Sequence, residues 1–141
     1  MRSRRKLLAL LVSASFGAGL LSLPATPATA ALHSRYFKMP SKNIHCAIFS
    51  GNLRCDIRSG LKPEPKRQCE GDWTGLLLAS RGKANPVCAG DTVVKKGSKT
   101  LEYGSKWKRN GIVCTSKTTG LRCRNGKGHG FFLSRDKWRK F

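Results

Sequence analysis

The stretch Ile44-His45-Cys46-Ala47-Ile48-Phe49-Ser50-Gly51-Asn52-Leu53-Arg54-Cys55-Asp56-Ile57 decides the fold. Set as an antiparallel pair with Cys46 opposite Cys55, it faces Ile44 with Ile57, Ile48 with Leu53 and Phe49 with Asn52. Ser50 and Gly51 remain as a two-residue turn, a favoured hairpin connection whose glycine supplies the positive φ that such turns need. Side chains alternate along a strand, so Ile44, Cys46, Ile48, Leu53, Cys55 and Ile57 share one apolar face with a disulfide at its centre. His45 and Asp56 meet on the other face.

A second copy follows 68 positions later, where Ile112, Cys114, Leu121, Arg122 and Cys123 repeat Ile44, Cys46, Leu53, Arg54 and Cys55. Such self-similarity marks a recurring supersecondary unit, here a hairpin pinned by a disulfide. The same register would put Thr118-Thr119 in the turn. β-Branched residues fit that turn poorly, so the sequence predicts a wider Lys117–Gly120 loop.

Around these hairpins the chain reads as short strands and turns. Pro63 and Pro65 exclude a helix interior or central strand from Gly60 to Glu70. Leu76-Leu77-Leu78-Ala79 is a continuous apolar run that predicts a buried strand within Trp73–Ser80. Arg81–Pro86 reads as a turn region. Further strands are expected at Val87–Val94, Thr100–Tyr103 and Phe131–Leu133, and Ser134 is placed to cap a short C-terminal helix. Turn signals about every ten residues predict an all-β fold, a small disulfide-stapled sandwich or barrel of short antiparallel strands.

The N-terminus reads as an address. Arg2, Arg4, Arg5 and Lys6 precede an apolar stretch, Leu7 to Leu23, and Ala28-Thr29-Ala30 has the small-x-small form of a cleavage site. This pattern predicts a secretory signal peptide over 1–30 and one secreted domain over 31–141. Export by the Sec route is expected, and Ser3-Arg4-Arg5-Lys6-Leu7-Leu8 also resembles a twin-arginine signal. Cleavage would leave 24 Lys and Arg against 7 Asp and Glu, a net charge of +17.

All six cysteines follow Ala30. An even number in an exported chain predicts three disulfides, and the pairing without crossings is Cys46–Cys55, Cys69–Cys88 and Cys114–Cys123. Closing loops of these lengths contributes roughly 3 kcal/mol each on the chain-entropy model. No pair has the close spacing of a zinc site, so no metal and no cofactor is expected.

In order along the chain stand Pro40-Ser41-Lys42-Asn43-Ile44-His45-Cys46, Leu53-Arg54-Cys55-Asp56, Cys88-Ala89-Gly90-Asp91-Thr92, Tyr103-Gly104, Gly120-Leu121-Arg122-Cys123-Arg124-Asn125 and Gly128-His129-Gly130-Phe131-Phe132-Leu133-Ser134-Arg135. This set resembles a family of small secreted actinobacterial proteins of unknown function, over roughly Phe37 to the C-terminus. The resemblance implies an exported, disulfide-linked single domain and carries no activity, ligand or functional residue.

Two histidines are candidates for chemistry. His45 beside Asp56 has the composition of an oriented general base, and equally of a cross-strand pair that only stabilises. His129 lies in Gly126-Lys127-Gly128-His129-Gly130, a basic glycine loop able to approach a phosphate, although it lacks the spacing of a P-loop. A small secreted hydrolase or nuclease would use one of these histidines. No Gly-x-Ser-x-Gly turn and no convincing carboxylate pair supports other hydrolytic chemistry.

Charge is the stronger functional signal. One basic region holds Lys95, Lys96, Lys99, Lys106, Lys108 and Arg109 with Tyr103 and Trp107 between them. Lys127 and a C-terminal set, Arg135, Lys137, Trp138, Arg139 and Lys140, form others. Cations that release counterions, beside rings that stack, suit a polyanion. The expected function is non-enzymatic binding at the cell envelope or outside the cell. Candidate partners are teichoic acid, an anionic lipid surface, extracellular DNA or an acidic polysaccharide. The alternative to a polyanion is an unidentified protein, met by an inhibitor or effector module.

Overall fold

A computed structural model describes residues 30–141. Apart from Ala30, the expected leader lies outside the described residues. Eleven strands form two sheets, and the described residues contain no helix.

The first sheet contains β1 (Tyr36–Lys38), β2 (Ile44–Phe49), β3 (Asn52–Ile57), β4 (Asp72–Leu78), β5 (Ala84–Ala89) and β6 (Lys99–Thr100), in the order β5-β4-β3-β2-β1-β6. The second contains β7 (Lys106–Arg109), β8 (Ile112–Lys117), β9 (Gly120–Asn125), β10 (Gly130–Leu133) and β11 (Trp138–Lys140), in the order β11-β10-β9-β8-β7. Each is built on a five-stranded antiparallel meander, and the two meanders correspond strand for strand.

That correspondence extends the hairpin repeat. Phe37 pairs with Cys46 as Trp107 pairs with Cys114, and Gly75-Leu76-Leu77-Leu78 lies along β3 as Gly130-Phe131-Phe132-Leu133 lies along β9. Both glycines meet the same need for close approach. A Cβ on Gly75 would lie 1.9 Å from the Cys55 carbonyl oxygen, and one on Gly130 would lie 2.1 Å from that of Cys123. The leading segments are exchanged between the sheets: Lys99 and Thr100 add to β1 in parallel, while Leu32 forms a parallel bridge to Trp107.

The first hairpin has the predicted register, Cys46 opposite Cys55 and His45 opposite Asp56. Ser50 and Gly51 both take positive φ, 47° and 81°, as the tight turn requires. The second hairpin differs from expectation. Lys117 pairs with Gly120, so the loop is only Thr118-Thr119. Neither threonine takes positive φ; Gly120, at 145°, absorbs the distortion just after the turn.

The core lies between the sheets. Phe37, Leu53, Leu76 and Leu78 from the first meet Trp107, Ile112, Leu121, Phe131 and Leu133 from the second, with Cys46–Cys55 and Cys114–Cys123 buried among them. The equivalent residues Phe37 and Trp107 stack on each other across the core, ring centroids 5.0 Å apart. Fully burying such a side chain contributes about 1.5–3 kcal/mol. The third disulfide, Cys69–Cys88, ties β5 to the proline-rich loop at the surface, where Cys88 is exposed. All three predicted bridges are present.

Several expectations are corrected. No C-terminal helix forms: Ser134 instead closes a turn, accepting from the Lys137 amide at 3.2 Å, and residues 138–140 return as β11. Helix capping and this turn use the same hydroxyl, and pairing with β10 decides between them. Leu77 faces outward and is exposed while Leu76 and Leu78 are fully buried, so the leucine run is buried on one face only. Strand β5 begins at Ala84, inside the region read as a turn, and Pro86 is tolerated because β5 is an edge. Residues 91–94 are not a strand; they cross the first sheet.

Candidate functional site

Alternation places Trp107, Cys114, Leu121, Cys123 and Phe131 inward, so their neighbours on the second sheet point out. The rows across this outer face are Lys108, Val113, Arg124 and Gly130, then Lys106, Thr115, Arg122, Phe132 and Arg139. Lys117 stands at the end of β8. Strands β7 to β11 contain no acidic residue. Among the described residues none of these outward cations has a carboxylate within ion-pair distance.

Two arginines on this face are held by rings rather than by acids. Phe141 pairs with Gly130 through backbone hydrogen bonds, and its ring covers the glycine. The Arg122 guanidinium stacks 3.8 Å from the centroid of that ring. Phe132 lies over Gly120 in the same way, with Arg139 5.6 Å from its centroid. Stacking on a ring orients the planar guanidinium and leaves its N–H donors free for another acceptor.

The matching face of the first sheet is closed. Residues 91–98 cross β3, β2 and β1. The Asp91 carboxylate accepts from Arg54 at 2.8 Å, the Val93 amide donates to Asp56 at 3.0 Å, and Lys38 donates to the Ser98 carbonyl. Arg54 also grips Asp56 with two bonds, at 2.8 and 3.0 Å. Burial opposes the charge on Arg54, but the two aspartates outweigh it and raise its pKa. The hydrogen bond from Arg54 holds the Asp91 carboxyl below its ordinary pKa.

His45 belongs to this closed region. Its Nε2 donates to the Lys42 carbonyl at 3.0 Å, leaving Nδ1 buried with no partner among the described residues. Burial is the main cause of its lowered pKa; the bond to Lys42 opposes the shift, while Arg58 and Lys38 add to it. Asp56 faces His45 in the register, but its carboxylate is occupied by Arg54 and Val93. His129 sits on the other sheet, in the turn between β9 and β10. There the amides of Lys127 and His129 both donate to Oδ1 of the buried Asn125, so the glycine loop spends these donors internally. The two histidines are not brought together.

The other sequence candidates scatter. Lys95 and Lys96 lie in the segment that closes the first sheet, with Lys95 4.4 Å from the Tyr36 ring centroid, and Lys99 is in β6. Tyr103 is exposed beside a shallow cleft that Ser41, Asn43 and Arg135 also line. Trp107 is fully buried, its indole N–H donating to the Ser34 carbonyl at 2.7 Å, and is out of reach of any ligand. Arg109 donates to the His33 carbonyl, and Trp138 is half-buried, donating to that of Pro63. Arg135 and Lys137 occupy the turn before β11, Lys127 that before β10, and Lys140 is exposed on β11. Only Lys106, Lys108 and Arg139 of the predicted binding set share the basic face.

Its other members, Lys117, Arg122, Arg124, Phe132 and Phe141, lie outside the basic clusters of the sequence. The signal was there: in Gly120-Leu121-Arg122-Cys123-Arg124-Asn125 the arginines alternate with Leu121 and Cys123. If the disulfide faces the core, both arginines face away from it.

No curated protein and no solved structure matches the chain. A family model, described as a family of unknown function (DUF6636), matches residues 15–141, and the chain therefore belongs to that family.

Proposed function

We propose that this is a secreted, non-enzymatic protein that binds a polyanion at the cell envelope or outside the cell, using the outer face of the second sheet. The observation that carries the reading is that face itself: Lys106, Lys108, Lys117, Arg122, Arg124 and Arg139 without a carboxylate partner among the described residues. Self-repulsion among such cations costs stability, and a bound polyanion relieves it. The three disulfides fit an extracellular protein.

The test is a salt titration of the oxidised protein against teichoic acid, DNA and anionic liposomes, with a basic peptide of matched charge as control. One of these ligands should bind at physiological salt well above the control. The double variant Arg122→Ser/Arg124→Ser should bind it at least tenfold more weakly, with a salt slope reduced by roughly 1.4 if each arginine meets one phosphate of a single chain. Equal loss on neutralising Lys95 and Lys96 instead would contradict the choice of face.

A further inference from the structure

The closed first sheet acts as a template for the open second one. In the first, a stretch of the chain itself lies across β3, β2 and β1, over His45 and Ala47, gripped by Arg54 and Asp56 on one side and Lys38 on the other. The equivalent positions on the second sheet are Arg122, Arg124 and Lys108, with Val113 and Thr115 beneath. Short side chains on β8 between longer cations on β7 and β9 make a shallow trough, which Lys106, Val113, Thr115, Arg122 and Arg124 line. Its walls are two inter-strand spacings apart, about 10 Å.

The difference between the two sheets identifies the chemistry of the occupant. Asp56 accepts the amide of Val93, as an acceptor must if a peptide is to lie there. Arg124 stands in that place on the second sheet and can only donate. A peptide laid in this trough would leave its N–H groups without that acceptor. The phosphodiester groups of a polyanionic chain offer oxygen acceptors alone, which suits walls made of donors. Bases are not provided for. Phe132 and Phe141 each lie against a glycine and have an arginine over the ring, so neither offers a free platform for stacking.

We infer that the trough over β8 binds a single, base-free phosphodiester chain of the polyol-phosphate type, laid across β9, β8 and β7. Its phosphates meet Arg122 and Arg124 at one side of the trough and Lys106 and Lys108 at the other, as the crossing segment of the first sheet meets Arg54 and Asp56 and then Lys38. This rests on the reading of the face as the binding surface, and it adds the class of ligand and the seat.

Poly(glycerol phosphate), oligo(dT) of equal phosphate number, duplex DNA and polyglutamate of equal charge are titrated at 0.15 M salt (about the physiological level). The trough is filled without changing charge by Thr115→Trp and, separately, by Val113→Tyr. Thermal unfolding and far-UV circular dichroism establish that each variant is folded. Poly(glycerol phosphate) should bind at least threefold more tightly than each of the others. It should lose about tenfold in whichever filled variant retains the fold. Equal binding of all four polymers with no effect of filling would overturn the inference while leaving the face as a general polyanion surface. Tighter binding of oligo(dT) or polyglutamate would overturn it in favour of bases or a peptide. No binding of any polymer would remove both readings.

Discussion

The two hairpins share a register, a central disulfide and an arginine three positions after the two-residue turn, yet their outer faces have opposite fates. Arg54 is gripped by Asp56 and Asp91 under a crossing segment, whereas its counterpart Arg122 stacks on Phe141 in the open. One position differs in sign between them. Where the first copy has Asp56, the second has Arg124, and with the carboxylate goes the acceptor for the covering chain. The same scaffold makes a sealed, internally neutralised sheet on one side and a donor-rich face on the other.

The largest effect should follow from opening the closed side. Asp56→Ala leaves Arg54 without its bidentate partner and the buried Val93 amide without an acceptor. Breaking a buried pair in this way should cost about 3 kcal/mol, read by chemical denaturation. Polyanion affinity of the folded fraction should be unchanged. A loss of affinity matching that of the arginine variants would erase the distinction between the faces.

Next in size is the reverse exchange. Arg124→Asp puts a carboxylate beside Arg122 at the position matching Asp56. It should weaken polyanion binding at least tenfold, since the new acid both pairs with Arg122 and repels the ligand. Stability should change by under about 1 kcal/mol, because the site is exposed. Unaltered affinity in a salt titration would mean that β9 does not touch the ligand.

The strands of the first hairpin were legible in the sequence because three signals agree there: alternation, a cysteine pair and a Ser-Gly turn. The paired meanders were not, since β1 and β7 are short and share only an aromatic facing the disulfide, Phe37 and Trp107, and the lysine after it, Lys38 and Lys108. The burial of Trp107 is illegible for a related reason. A tryptophan between two lysines is compatible with a surface cluster and with a strand whose alternate residue enters the core, and only the partner strand chooses. Arg122 and Arg124 do not stand out in the sequence, because clustering along the chain hides cations that a sheet gathers from separate strands. The segment covering β2 had no sequence signal beyond Asp91 and Val93.

A smaller contrast is redox. Cys46–Cys55 and Cys114–Cys123 are buried, whereas Cys69–Cys88 has an exposed sulfur-bearing residue, Cys88. Mild reductant followed by alkylation and peptide mapping should label Cys69 and Cys88 first, since exchange requires access. The cost to stability should be at most about 3 kcal/mol.

The smallest expected effect is pH-dependent. The folded state lowers the His45 pKa below its ordinary 6.5, so the unfolded chain binds more protons between those values. The contribution of neutral His45 is therefore present above about pH 6.5 and declines on acidification towards the folded pKa. His45→Asn should flatten this part of the profile of unfolding midpoint against pH. An unchanged profile would show that His45 does not set the acid sensitivity of the closed face.

The most direct test of the account is an amide NMR titration with poly(glycerol phosphate) at physiological salt. Perturbations should gather at Lys106, Val113, Thr115, Arg122 and Arg124, and leave the matching residues Tyr36, His45, Ala47, Arg54 and Asp56 unmoved. Shifts on the first sheet, or spread evenly over Lys95–Lys99 and Arg135–Lys140, would contradict it.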